Sequence, residues 1–384
     1  MSSTTPAAGQ APTAAPTAAP TEAASGPPPA GLDMERLQAL VFQAVTDIGA
    51  ALNGALVILG TDLGFWSALA DGQPITAAEL AARCGVPTPY ADQWLSAQAA
   101  SGNIDTETDS TGAVTFRLSP EQAMIFADQD SPAYLAGGYH IVRSVYEDLP
   151  QIEERMEAGQ GFGWHEHDPE LFLGTEQFFR PGYRTHLVDE WLPALEGVHD
   201  ALTAGARVAD VGCGHGVSTA VMAARYPASS FFGFDYHEAS VERATAHAAE
   251  QGVAGNTAFI RAAADSYPGS DYDLICFFDC LHDMGDPVGA LKHAREALSP
   301  DGTVMLVEPI AGDALADNLN PVGRIFYAAS TMICTPSSLA QDVGAALGAQ
   351  AGPGRLQKAA ELAGFTRFRR ATETPVNMVL ELRP

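Results

Sequence analysis

From Ala206 onward, apolar strand-like runs alternate with helical runs, and this alternation constrains the fold more than any other feature of the chain. Strands are expected at 207–212 (RVADVG), 230–235 (SFFGFD), 257–262 (TAFIRA), 272–278 (YDLICFF) and 302–309 (GTVMLVEP). Helices are expected between them at 216–226, 237–252 and 286–298, and after a long insertion at 354–364. Such a rhythm predicts a parallel sheet with crossover helices, the α/β class. Strand-like runs at 366–373 and 377–383 close the chain in a hairpin, which sets it apart from a plain dinucleotide fold.

At 384 residues the chain can hold more than one domain. Residues 1–31 are rich in Pro, Ala and Thr and carry no Lys, no Arg and no apolar run. They predict a disordered tail and not a signal or transit peptide. Residues 32–198 are expected to form a helical domain and 199–384 the α/β domain. Leu37, Val41, Val45, Ile48 and Leu52 recur at helical spacing, so Leu32 to about Asp71 is expected to be helical. Thr76 and Glu79 make a capping box, Gly85 a helix stop, and 103–119 two short strands about the turn Asp109–Gly112. Helix, helix, hairpin in this order predicts a winged helix. Further helices follow, one capped by Ser119 with Gln122 and one by Asp168 ahead of Pro169.

A winged helix raises DNA binding at once, and charge argues against it. The formal net charge is −27 with 20 Lys and Arg. Between Leu32 and Ser119 the basic residues are Arg36, Arg83 and Arg117, and none lies on the second helix, 87–101. A recognition helix without cations forgoes the phosphate attraction that dominates DNA affinity. The apolar helices ahead of it are expected to pack against a second subunit, giving a homodimer. The five cysteines are odd in number with no C-x-x-C pair, which predicts free thiols in a reducing compartment. No run is judged long and apolar enough to span a membrane, so a soluble, cytoplasmic protein is expected.

The sharpest motif is VADVGCGHGVST, Val208 to Thr219. No lysine follows for a phosphate loop. The glycines are Gly212, Gly214 and Gly216, and Val217 stands where a dinucleotide fingerprint has its third glycine. Asp235, ending the next strand, can accept from a ribose diol, and Asp210 can face a cation. A ligand with a ribose and a positive charge but no pyrophosphate satisfies both, and S-adenosylmethionine is such a ligand. The plainer alternative is that both aspartates cap loops.

On these residues the unit Ala206–Pro309 resembles a class I S-adenosylmethionine-dependent methyltransferase, Rossmann-like, with a seven-stranded sheet whose last strand is antiparallel. The 32–198 segment resembles the dimerisation domain of small-molecule O-methyltransferases, closest to a bacterial group of mostly unassigned substrate, which implies a domain for dimerisation and the acceptor site. The resemblance implies that Gly212, Gly214 and Gly216 cradle the methionine end and ribose of the donor, with Asp210 near its amino group. It implies Asp235 on the ribose hydroxyls, Tyr236 alongside the adenine, Ala264 and Asp265 at the adenine edge, and Phe278 beside the donor. Many relatives place the aspartate earlier in RAAAD, so Asp265 can point away and leave that contact to backbone. The product would be S-adenosyl-L-homocysteine.

Methyl transfer from a sulfonium needs alignment and, for a neutral oxygen acceptor, a base. By resemblance that base is His282, followed by Asp283, with Glu308 orienting the ring; the alternative is a histidine that only caps a loop. Trp164, His165, Tyr183, Tyr327 and Met332 are candidates for the acceptor pocket, against ordinary core packing. His165 and His167 have metal-ligand spacing but no evident third ligand, so no metal is expected. Two functions stay open: methyl transfer to a small molecule, which the resemblance implies is at oxygen, or a donor-binding fold without transfer, as in a ligand-sensing regulator or repurposed synthase.

Overall fold

The helix Met34–Asp62 opens the described part of the chain, residues 31–384 of a computed structural model. The expected tail therefore lies outside the described residues, save Gly31. The chain divides into two compact units, 1–50 and 51–384. The opening helix is 29 residues long, and its charges are Glu35, Arg36, Asp47 and Asp62. By length and composition it would suffice to cross a membrane, which corrects the expectation that no run does so. Alanines and glycines between the apolar repeats hid this from a reading based on periodicity. Along it Leu40, Phe42, Val45, Ile48 and Leu52 are exposed. It ends earlier than expected, because Gly64 adopts φ 73° and starts a separate short helix, Phe65–Leu69.

In the larger unit, Phe65, Trp66, Trp94 and Phe126 pack into one cluster with Val57, Leu69 and Leu95. The Trp66 indole donates to the Val57 carbonyl at 3.0 Å. A Cβ on Gly60 would stand 2.4 Å from that indole nitrogen, so this helical glycine gives the rings room. Helices Ala77–Cys84 and Thr88–Ala100 follow, the first with the expected Thr76–Glu79 capping box and Gly85 stop. Strands β1 (Asp105–Thr108) and β2 (Val114–Arg117) pair antiparallel, and Ile75 bridges to Phe116 beside them. The expected helix, helix, hairpin order is thus present. Ser119 and Gln122 form the capping box of the helix Pro120–Phe126.

Seven strands make the main sheet: β3 (Arg207–Val211), β4 (Ser230–Asp235), β5 (Thr257–Arg261), β6 (Tyr272–Phe278), β7 (Leu298–Pro309), β8 (Arg367–Glu373) and β9 (Asn377–Arg383). Their order is β5-β4-β3-β6-β7-β9-β8. β9 slots between β7 and β8 and runs antiparallel to both, whereas β3 to β7 are parallel. β3, β6, β7 and β9 are buried along almost their whole length, as strands covered on both faces should be. One cluster packs helices Pro287–Ala297 and Gly352–Leu362 on one face. Another packs Tyr183, Trp191 and the helix Val217–Arg225 on the other.

Pro181 lies inside the helix Glu170–Gly182 and offers no N–H to the preceding turn. The helix then continues in wider π-turns over Tyr183–Trp191. Such turns commonly re-aim side chains at functional sites. Here the first side chain past the change is Tyr183.

Candidate active site

β3 stops at Val211 and the chain turns through Gly212, Gly214 and Gly216, with φ of 76°, 49° and 75°. Left-handed backbone at alternate residues is what glycine permits most cheaply. The Gly212 N–H donates to the Phe234 carbonyl at 2.8 Å, tying the turn to β4. A Cβ on Gly212 would stand 2.7 Å from the Cys280 sulfur, and nothing lies within 4 Å of one on Gly214. On Gly216 a Cβ would meet Ala244 and Phe259 at 2.9 Å. Gly216 therefore provides the close packing beneath the helix that the third fingerprint glycine gives a dinucleotide fold.

Asp235 stands opposite the turn. Its Oδ2 accepts from the Gly214 N–H at 3.0 Å and its Oδ1 from the His237 N–H at 2.9 Å. Burial raises its pKa, and these backbone donors work in the other direction. A cavity of about 420 Å³ opens between this end and the residues after β6. That size accommodates a cofactor-sized molecule.

Many of the expected residues line it. Gly212, Gly214, Asp235, Tyr236, Ala264 and Phe278 are on the wall, as are Asp283, Trp164, His165 and Tyr183. His165 packs edge-on to Tyr236 at 6.0 Å between ring centres, which puts it at the Asp235 end. The Tyr236 phenol is held well above its usual range, chiefly by burial.

Other expected residues lie elsewhere, each for a physical reason. Asp210 is fully buried; the Ser218 hydroxyl donates to its Oδ2 at 2.7 Å and the Thr219 hydroxyl at 2.5 Å. It anchors the helix after the turn and is not on the wall, and burial pushes its pKa up to about 6. Gly216 packs the helix, as above. Asp265 is exposed and accepts from its neighbour Ser266 at 3.0 Å. Tyr327 and Met332 are also off the wall. Asn318 donates to the Tyr327 hydroxyl at 3.4 Å, and Met332 packs on the satellite cluster of Phe326 and Ile333. His167, the second member of His-x-His, contacts the Asp148 carboxylate through Nδ1 at 2.8 Å and holds the loop.

His282 is buried just after β6 and is not on the wall. Its Nδ1 pairs with Glu308, and its Nε2 lies 3.1 Å from the Asp283 carboxylate. Burial lowers its pKa, yet Asp283 and Glu308 outweigh burial and hold it well above the usual imidazole range. The second Glu308 oxygen accepts from the Leu281 N–H at 3.1 Å. Among the described residues, His282, Asp283 and Cys334 place ligand-type atoms within 4.8 Å of one another, a spacing that a metal ion could use. Burial pushes the Cys334 thiol up to about 12, which disfavours the thiolate that a metal ligand must be.

Three wall features lay outside the sequence expectations. Glu176 pairs with His215 Nδ1 at 2.9 Å, so the histidine within the glycine turn is a latch to the helix Glu170–Gly182. Gln341 Nε2 donates to the Asp283 carbonyl at 3.0 Å while its Oε1 accepts from the Gly285 N–H at 3.0 Å. Asp279, just past β6, has φ 51° and accepts from the Tyr183 hydroxyl at 2.9 Å and from Asn377 Nδ2 at 2.6 Å. Its partners are 96 and 98 residues away, beyond any local motif.

Comparison with known proteins follows the same line. Residues 202–363 match the family model described as a methyltransferase domain. The ubiquinone biosynthesis O-methyltransferase of Pseudomonas aeruginosa is 33% identical over 105 residues, 27% of this chain and 44% of that protein. The trans-aconitate 2-methyltransferase of Streptomyces avermitilis is 31% identical over 105 residues, 27% of this chain and 39% of that protein. The chain thus spans less than half the length of these curated relatives. Among solved structures, human N-acetylserotonin methyltransferase in complex with S-adenosylmethionine superposes with TM-score 0.65 at 16% identity, covering 92% of this chain and 99% of that one. An O-methyltransferase family protein from Burkholderia thailandensis gives 0.65 at 17% identity, covering 89% and 98%. The mitomycin 7-O-methyltransferase MmcR gives 0.63 at 19% identity, covering 91% and 100%. At these identities the likeness is one of fold.

Proposed function

With residues 202–363 read as a methyltransferase domain, we propose that this chain is an S-adenosylmethionine-dependent methyltransferase acting on an oxygen of a small molecule. The observation that carries the reading is the cradle itself. Left-handed glycines open onto the cavity at Gly212 and Gly214, and the Asp235 carboxylate faces them. Gly214 leaves open space where any side chain would project, which suits a ligand lying against backbone. Gly212, Gly214 and Asp235 would hold the sugar and amino-acid parts of the donor, and Tyr236 with Ala264 its base. The donor supplies a methyl group already activated by a sulfonium.

The chain's own task is then to exclude water, orient the acceptor and take its proton. Asp283 reaches the cavity wall, with His282 and Glu308 behind it. For His282 to act as the base, it must first release the proton that Asp283 and Glu308 favour on it, and its Nε2 must exchange Asp283 for the acceptor hydroxyl. Glu308 is then a positioning residue that keeps Nδ1 occupied and Nε2 aimed forward. Tyr183 and Trp164, both on the cavity wall, would shape the acceptor space.

We read the helix, helix, hairpin unit as a winged helix used for dimerisation. The exposed Leu52 and Leu59 on the opening helix support pairing with a second copy. Calorimetric titration with S-adenosylmethionine and S-adenosylhomocysteine tests donor binding, and absence of binding refutes the function. The second reading, donor binding without transfer, is favoured by one observation: both nitrogens of His282 face carboxylates. Conversion of an acceptor with a methyl-sized mass gain separates the two.

A further inference from the structure

Four carboxylates line the cavity: Glu176, Asp235, Asp279 and Asp283. Glu176 has His215 and Arg180 as partners, and Asp283 has His282. Asp235 is held by two backbone N–H groups and faces the sugar in the proposed function. Asp279 differs from Glu176 and Asp283 in its partners, and from Asp235 in its place past the end of β6. Its hydrogen-bond partners, the Tyr183 hydroxyl and the Asn377 amide, are both neutral. Each carboxylate oxygen accepts one of them, which leaves lone pairs for a further contact.

Position gives this carboxylate its meaning. The sheet runs β4-β3-β6 across the cavity floor, with Asp235 at the end of β4 and Asp279 just past the end of β6. A donor anchored by its ribose at Asp235 and lying along the glycine turn extends over β3 toward β6. Its nucleoside end is neutral and its sulfonium end is not. Asp210, which sequence offered as partner for a cationic group of the donor, is turned into the helix base. Asp279 stands on the wall where Asp210 does not.

We propose that Asp279, held by Tyr183 and Asn377, is the counter-ion for the donor's sulfonium and favours the charged donor over its neutral thioether product. The inference rests on the proposed function above. It gives the site a means of releasing product: once the methyl has left, the sulfur no longer balances the carboxylate.

The charge state of the site follows. Burial raises the Asp279 pKa to about 8, and the Glu308 carboxylate on β7 adds to the rise. The hydrogen bonds from Tyr183 and Asn377, and the His282 charge, act in the opposite sense. Tyr183 in turn faces Cys280 and Asp210, and burial keeps that phenol protonated. At neutral pH the ligand-free carboxyl is therefore largely protonated. Binding a cation there expels the proton; binding a neutral thioether does not.

The test needs no acceptor. S-adenosylmethionine, the cationic analogue sinefungin, and S-adenosylhomocysteine are titrated calorimetrically between pH 6 and 8.5, in buffers of different ionisation enthalpy. In the wild type, the preference for the two cations over S-adenosylhomocysteine falls as pH drops, approaching roughly tenfold per unit well below the pKa. Proton release accompanies the cations. Asp279→Asn, a residue that tolerates left-handed backbone, flattens the pH dependence and keeps S-adenosylhomocysteine binding. Tyr183→Phe removes a donor that favours the carboxylate and moves the midpoint upward. A cation preference that is independent of pH, or unchanged in Asp279→Asn, overturns the assignment while leaving the methyltransferase reading intact. If none of the three ligands binds the wild type, the methyltransferase reading itself falls.

Discussion

At the Asp235 end of the cavity, the groups that meet a ligand are backbone amides and glycines set by close neighbours in sequence. At the Asp279 end they are side chains from three distant segments: the turn after β6, the π-turn at Tyr183 and the start of β9. The first kind of site is rigid because the chain has few conformations that close the turn. The second is rigid only while the sheet, the helix and the hairpin stay packed. Damage at the first end should appear as lost donor affinity with the fold intact. Damage at the second should appear in chemistry, in pH dependence or in stability.

His282→Gln is the sharpest way to test this contrast. It should reduce turnover by about 10²–10⁴-fold, the usual worth of a general base, and leave donor affinity unchanged. Unaltered turnover with an identified acceptor would remove His282 from the chemistry. Glu308→Gln comes next. Taking one partner from the buried His282 pair should cost about 3–5 kcal/mol of stability, read as a lower melting temperature. The sign with pH is definite. Because His282 is held above its ordinary value of 6.5, its charged form adds stability that is complete below that value. The contribution is lost as pH rises through the higher folded-state value. The wild type and Glu308→Gln should therefore converge in melting temperature under alkaline conditions.

Asp235→Asn should weaken donor binding by about tenfold, through loss of a charged hydrogen-bond acceptor, with the melting temperature nearly unchanged. A large loss of stability instead would mean that Asp235 serves chiefly to cap the loop. His215→Ala should be the mildest. Removing its partly buried pair with Glu176 should cost about 1 kcal/mol and loosen the glycine turn, seen as a few-fold faster donor release in stopped-flow. No change in release would make the latch purely structural.

How far the sequence led follows the same divide. Every strand of the main sheet was legible: in β3, β6, β7 and β9 apolar runs bounded by turn residues leave little choice when both faces are covered, and the edge strands β5 and β8 follow from their place in the alternation and the closing hairpin. The capping boxes at Thr76 and Ser119 were legible because their partners lie three residues away. Gly212, Gly214 and Asp235 were legible because a single strand-to-strand step ties the turn to the end of β4. Asp210 misled because a carboxylate beside a glycine turn can face the ligand or the helix base, and only the hydroxyls of Ser218 and Thr219 decide. Tyr327 and Met332 misled because an insertion's position says nothing about which of its faces meets the cavity. Asp279 went unnoticed because its significance lies wholly in partners far along the chain. The apolar opening helix was recognised as helical, but the glycines and alanines among its apolar repeats hid that it is long and apolar enough to cross a membrane.

The left-handed backbone at Asp279 carries a consequence for how this site can drift over generations. Residues that sit easily at such a position are few: glycine, asparagine and aspartate. A single base change turns an aspartate codon into either of the other two. Descendants of this gene can therefore discard the charge without disturbing the turn, one step at a time. Surveying which of the three stands at this position in related genes would sort them into those that keep a counter-ion and those that have given it up.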